Sequence, residues 1–149
     1  MFSVDKMHFE ISERKMILRI FDVFFVFGSL FLTGNIFDFD YFILSTNNLY
    51  WILILGVYIN FFGTIFEMYN LQVASNQFQV LKSTILTVST TVLVYLLTPI
   101  YSPELPSKRI QIVLFYVVVF LALFIWRMFY VSFLASTRFL QNAVLICDN

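Results

Sequence analysis

Charge is what this sequence has least of. Only 12% of its 149 residues are Asp, Glu, Lys or Arg, about half the roughly 25% of an average soluble domain. Nine cations balance nine anions, so no basic surplus exists to neutralise a phosphate backbone, which argues against a nucleic-acid partner. Cysteine and histidine occur once each, as Cys147 and His8. One thiol cannot close an intramolecular disulfide, and one Cys with one His makes no credible zinc site. Three prolines and four glycines leave little material for flexible linkers, and the length suits one domain. Alanine is missing before Ala74. The first apolar run therefore lacks the small-residue cleavage site of a secretory signal and reads as a retained anchor. No Walker loop, GxGxxG, Ser-His-Asp arrangement or metal cluster stands in the sequence.

What is abundant is apolar surface: 60% of the residues are hydrophobic, 20% are aromatic, and 20 are Phe. A soluble domain of this size would hold much of that surface against water. A bilayer-spanning helix needs about 20 mostly apolar residues, and the gaps between charges supply four such stretches. Val23–Phe37, Tyr41–Phe66, Ser83–Pro103 and Ile110–Trp126 carry no charge over 15, 26, 21 and 17 residues respectively. Core strands run 4–8 residues, well short of these runs. The expected fold is an all-α integral membrane protein with four transmembrane helices, over about 20–37, 49–66, 81–98 and 110–129. Residues 1–19 form a polar segment before them. The third helix should stop near Thr98, because the residue before Pro99 is pushed out of helical geometry.

Positive residues near membrane ends stay in the cytoplasm. Seven of the nine Lys and Arg residues fall on the side of the two termini, and only Lys108 and Arg109 fall on the other. Both termini are accordingly expected in the cytoplasm, with the acidic, aromatic connection Asn35–Asn48 outside. The connection Glu67–Leu81 is polar through Gln72, Ser75, Asn76, Gln77 and Gln79 and is a candidate interfacial helix. All three prolines stiffen the loop from Thr98 to Arg109. Beyond the helices, Val131–Leu140 reads as a short amphipathic helix. Ala143–Cys147 reads as a buried parallel strand of the kind that opens a βαβ unit, with Cys147 inside it.

Few residues offer chemistry. Arg19 and Asp22 lie three apart at the inner end of the first span, a spacing at which they can pair. A structural pair outweighs a substrate-facing role there, although charge within a membrane by default marks function. Trp126 and Arg127 end the fourth span as an interfacial aromatic with a snorkelling cation, with a lipid headgroup or phosphate contact as the alternative. Glu67, beside Tyr69 at the end of the second span, has no partner carboxylate nearby in sequence and is a weak candidate for acid–base work. Ser83, Thr87, Thr90 and Thr91 give the third helix a hydroxyl face. Such faces serve helix packing, at about 0.6 kcal/mol per interhelical hydrogen bond. His8 reads as solvated.

Several segments together resemble the N-terminal membrane region of bacterial sugar transferases, the polyprenyl-phosphate glycosyl-1-phosphate transferases of exopolysaccharide and O-antigen synthesis. They are Arg19-Ile20-Phe21-Asp22, Phe66-Glu67-Met68-Tyr69-Asn70-Leu71, Leu97-Thr98-Pro99, Pro103-Glu104-Leu105-Pro106, Trp126-Arg127, and Arg138-Phe139 leading into Val144-Leu145-Ile146. The resemblance implies that 131–149 is the linker and first strand of a Rossmann-like domain. In such enzymes a catalytic domain follows, which uses Mg²⁺ to move sugar-1-phosphate from a UDP-sugar to undecaprenyl phosphate in the inner membrane. This chain carries no catalytic, cofactor-binding or metal residue of that domain. A truncated gene or a piece of a longer protein is expected, with an anchoring and orienting role and partners limited to the bilayer, undecaprenyl phosphate and further copies of the chain. The rivals are the similar four-helix region of a nucleotide-sugar epimerase or dehydratase, and a free-standing small membrane partner protein.

Overall fold

The computed structural model describes residues 11–37, 41, 49–70, 72–73 and 76–132. The first helix, α1 (Ile11–Ile36), has 26 residues and is about 39 Å long at 1.5 Å per residue. That exceeds the roughly 30 Å hydrocarbon core of a bilayer. The excess lies at its start, where Ser12, Glu13 and Lys15 are exposed. The helix therefore begins nine residues before the expected position: charged residues continue a helix into water as readily as apolar ones build it in lipid. Near its other end, Thr33 Oγ1 donates to the Ser29 carbonyl at 2.7 Å, which keeps a hydroxyl satisfied inside an apolar stretch.

The second helix, α2 (Leu49–Ile65), has 17 residues and no charge. Asn60 and Thr64 are accommodated because each bonds back to its own helix, Asn60 Nδ2 to the Gly56 carbonyl at 2.9 Å and Thr64 Oγ1 to the Asn60 carbonyl at 2.8 Å. The third helix, α3 (Gln77–Leu97), is capped by Asn76, whose side chain accepts from the Phe78 N–H. It ends at Thr98, as Pro99 demands. The polar residues Asn76, Gln77 and Gln79 thus start α3 itself rather than a separate interfacial helix. The fourth helix, α4 (Arg109–Tyr130), agrees with the expected span to one residue at each end. The proposed strand Ala143–Cys147, the amphipathic segment beyond Ser132, and His8 lie outside the described residues.

The helices pack in a ring, α1 on α4, α4 on α3 and α3 on α2, with α1 and α2 only loosely in contact. Tyr95 centres the core. Its ring stacks on Phe115 at 5.8 Å, and its hydroxyl donates to the Trp51 carbonyl at 3.2 Å. In the connection from α1 to α2, Tyr41 packs edge-on against Phe115, and burial pushes its hydroxyl up to about 12.

The exterior is as apolar as the core, and a few polar side chains lie inside. Asp22, Thr84, Thr87, Thr91 and Arg127 are buried, whereas Phe24, Leu53, Val57 and Leu93 are more than half exposed. An apolar exterior of this extent marks contact with something other than water. Three of the helices, α1, α3 and α4, are long and apolar enough to cross a membrane. The chain is thus a multi-pass membrane protein in a lipid environment.

Candidate functional site

The chemistry of the molecule gathers at one end of the bundle, where the first half of α1 meets the ends of α2 and α4. Asp22 and Arg127, 105 residues apart in sequence, form an ion pair with Nη2 at 2.5 Å from Oδ2. Both side chains are almost fully buried. A second guanidinium N–H, on Nη1, donates to the Met68 carbonyl at 3.0 Å. One Arg side chain therefore ties α1, α4 and the turn after α2 together. The planar fork of arginine suits this bridging better than a lysine ammonium would. The Trp126 indole and Tyr69 hydroxyl lie close to the Asp22 carboxylate, although the indole N–H and Oδ1 stop short of a hydrogen bond. Trp126 also stacks on Phe21 and Phe25, with centroids at 4.9 and 4.8 Å, sealing the α1/α4 seam above the pair.

Tyr69 is the hub. Its ring lies under two guanidinium groups, Arg19 at 4.9 Å and Arg127 at 5.1 Å, a cation–π arrangement that strengthens away from water. Its hydroxyl donates to Asn60 Oδ1 at 3.3 Å. Arg19 in turn donates to Thr64 Oγ1 at 3.3 Å. The turn that delivers Tyr69 is a helix-ending motif in which the Met68 N–H reaches the Gly63 carbonyl and the Glu67 N–H reaches Thr64. Such an end needs a left-handed residue, usually glycine. Here it is Glu67, with φ 56°, the one non-glycine residue at positive φ among those described.

Glu67 is therefore placed by its backbone: its side chain is exposed and sits outside the cluster. Glu67→Gly should leave stability unchanged or raise it by up to about 1 kcal/mol, since a β-carbon in the left-handed region costs about 1–2 kcal/mol and glycine returns part of this as entropy. The midpoint of unfolding in mixed micelles measures it. A drop would give the carboxylate a role that its position does not suggest.

Two expectations from the sequence are corrected. Asp22 pairs with Arg127, not with its helix neighbour Arg19, because Arg19 leaves the α1/α4 seam for the α1/α2 side, towards Thr64. Arg127 does not snorkel to an interface: it is 1% exposed. Trp126, paired with it in sequence as an interfacial anchor, is also buried. On α3, Ser83, Thr87 and Thr91 are buried as a packing face requires, together with Thr84. Yet the Thr84, Thr87 and Thr91 hydroxyls make no hydrogen bond, so the face gains close helix approach and not interhelical bonding.

Sequence reasoning missed Asn60, Thr64 and the Met68 carbonyl, and it valued Tyr69 only as a neighbour of Glu67. An Asn in mid-span was the available signal. No group of three or more His, Cys, Asp or Glu residues comes together to hold a metal ion among the described residues. Compared with protein-family models, curated proteins and solved structures, the chain matches none.

Proposed function

We propose that this chain is the membrane domain of a bacterial sugar transferase, a four-span module that anchors and orients a catalytic part at the inner membrane. One observation carries the reading. Three of the sequence segments on which the family resemblance rests are far apart in the chain, and they supply Arg19 and Asp22, Met68 and Tyr69, and Trp126 and Arg127 to one interlocked cluster. Segments that a resemblance singles out separately, and that meet in one cluster, support a common module.

In this reading α2, 17 residues long, is the fourth crossing, since about 17 residues is the short limit for a span. Both termini then lie on one side, the cytoplasmic one by the bias of positive charge. The cluster sits at that end, where α4 leaves the membrane towards a catalytic domain, and fixes its exit. Mg²⁺, the UDP-sugar and undecaprenyl phosphate would belong to the chemistry of that domain. The chain by itself is expected to release no UMP from UDP-sugar and undecaprenyl phosphate.

The decisive experiment is to read the coding DNA through and past codon 149. A downstream acidic catalytic pair after a fifth apolar segment supports the transferase reading. A GxGxxG just past codon 149 would replace it with the epimerase or dehydratase. Robust UMP release by the purified chain would overturn the anchoring role.

A further inference from the structure

The loose contact between α1 and α2 leaves a groove that opens to the lipid. Val23 packs directly on buried Gly56 at its floor, where an added β-carbon would come within 3.1 Å of Val23. Leu53, Val57 and Phe61 line its outer wall and are exposed. About 480 Å³ of space lies in it, open along its lipid-facing side. From Ile52 to Thr64 the wall runs about 18 Å at 1.5 Å per residue, comparable with the roughly 15 Å depth of one leaflet's hydrocarbon.

Its polar end holds Arg19 and Thr64. The Arg19 guanidinium is exposed and is fixed in direction by the Tyr69 ring and Thr64 Oγ1. The nearest carboxylate in sequence, Asp22, is committed to Arg127. An oriented cation at the head of an apolar slot one leaflet deep is complementary to an anion carried on a single hydrocarbon tail. Guanidinium and phosphate oxygens match as a charge-assisted, bidentate pair.

We propose that this groove binds one anionic phospholipid, with its phosphate on Arg19 and one acyl chain along Leu53, Val57 and Phe61. The site requires only a bilayer around the helices and holds whether or not the chain belongs to a transferase.

Native mass spectrometry of the full chain in neutral detergent, with equal amounts of phosphatidylglycerol and phosphatidylcholine, tests it. One phosphatidylglycerol should be retained per chain, with a preference of about fivefold or more, the value of roughly one cation against an anionic headgroup. Arg19→Gln should bring the two lipids to parity. Lys15→Gln, an exposed cation at the same end but off the groove, should leave the preference in place. Val57→Trp, a lipid-facing change that fills the slot without touching the cluster, should reduce retention of both lipids. Equal losses from Arg19→Gln and Lys15→Gln would reduce the preference to general surface attraction and overturn the site. So would full retention in Val57→Trp, or displacement of the phospholipid by an equimolar polyprenyl monophosphate.

Discussion

Asp22→Leu should destabilise the bundle by about 3–5 kcal/mol, because removing one partner leaves the other charge buried and uncompensated. The orphan would be Arg127, which has 1% of its surface exposed and a guanidinium that cannot shed its proton. It would keep only the Met68 carbonyl and the Tyr69 ring. Arg127→Met should cost less, towards about 3 kcal/mol, since a lone carboxyl can neutralise itself by binding a proton. The double variant Asp22→Leu/Arg127→Met should be more stable than Asp22→Leu alone, because well-packed apolar residues replace a buried pair at little or no cost. Denaturant midpoints for the three variants, followed by tryptophan emission, close the cycle. Simple addition of the two single losses would mean that the pair is not the unit described.

Gly63→Ala and Gly28→Ala should move stability in opposite directions. A β-carbon on Gly63 would sit 2.7 Å from Tyr69 Cε2 and 3.2 Å from Met68 Cε. The Tyr69 ring cannot retreat, since guanidinium groups hold it from Arg19 and Arg127, so the end of α2 must open instead. Overpacking of this kind costs about 1–3 kcal/mol, against a gain of about 0.8–1 kcal/mol in helix propensity. The net result should be a loss, with weakened Arg19 and Arg127 contacts. A β-carbon on Gly28 meets nothing within 4 Å, so the propensity gain of about 0.8–1 kcal/mol stands alone. Equal effects at the two glycines would show that the approach of Tyr69 to α2 is not close enough to matter.

Both predictions rest on contacts that join distant parts of the chain, and this marks what was legible beforehand. The helices were readable because a bilayer imposes a length and forbids charge, so uncharged runs bounded by Lys, Arg, Asp and Glu delimit them. The end of α3 at Thr98 was readable because Pro99 restricts its neighbour locally. The start of α1 was not, since helix outside the membrane obeys no hydropathy limit. The turn after α2 was obscured because Glu67 occupies a position where glycine is the usual signal.

The pairing of charges belongs to the tertiary structure. Spacing offered Asp22 a partner three residues away, and packing supplied one 105 residues away. At i, i+3 both side chains would have stayed on one helix face near lipid. The α1/α4 seam instead removes Asp22 and Arg127 from both lipid and water and adds the Met68 carbonyl. The sequence determined that this is an apolar, helical, membrane-embedded chain with very few ionisable groups, because composition and run length act residue by residue. Only the folded bundle decided which of those groups are sealed in a clamp and which, like Arg19, remain exposed, because burial and partnership are properties of surfaces that meet only after the helices pack.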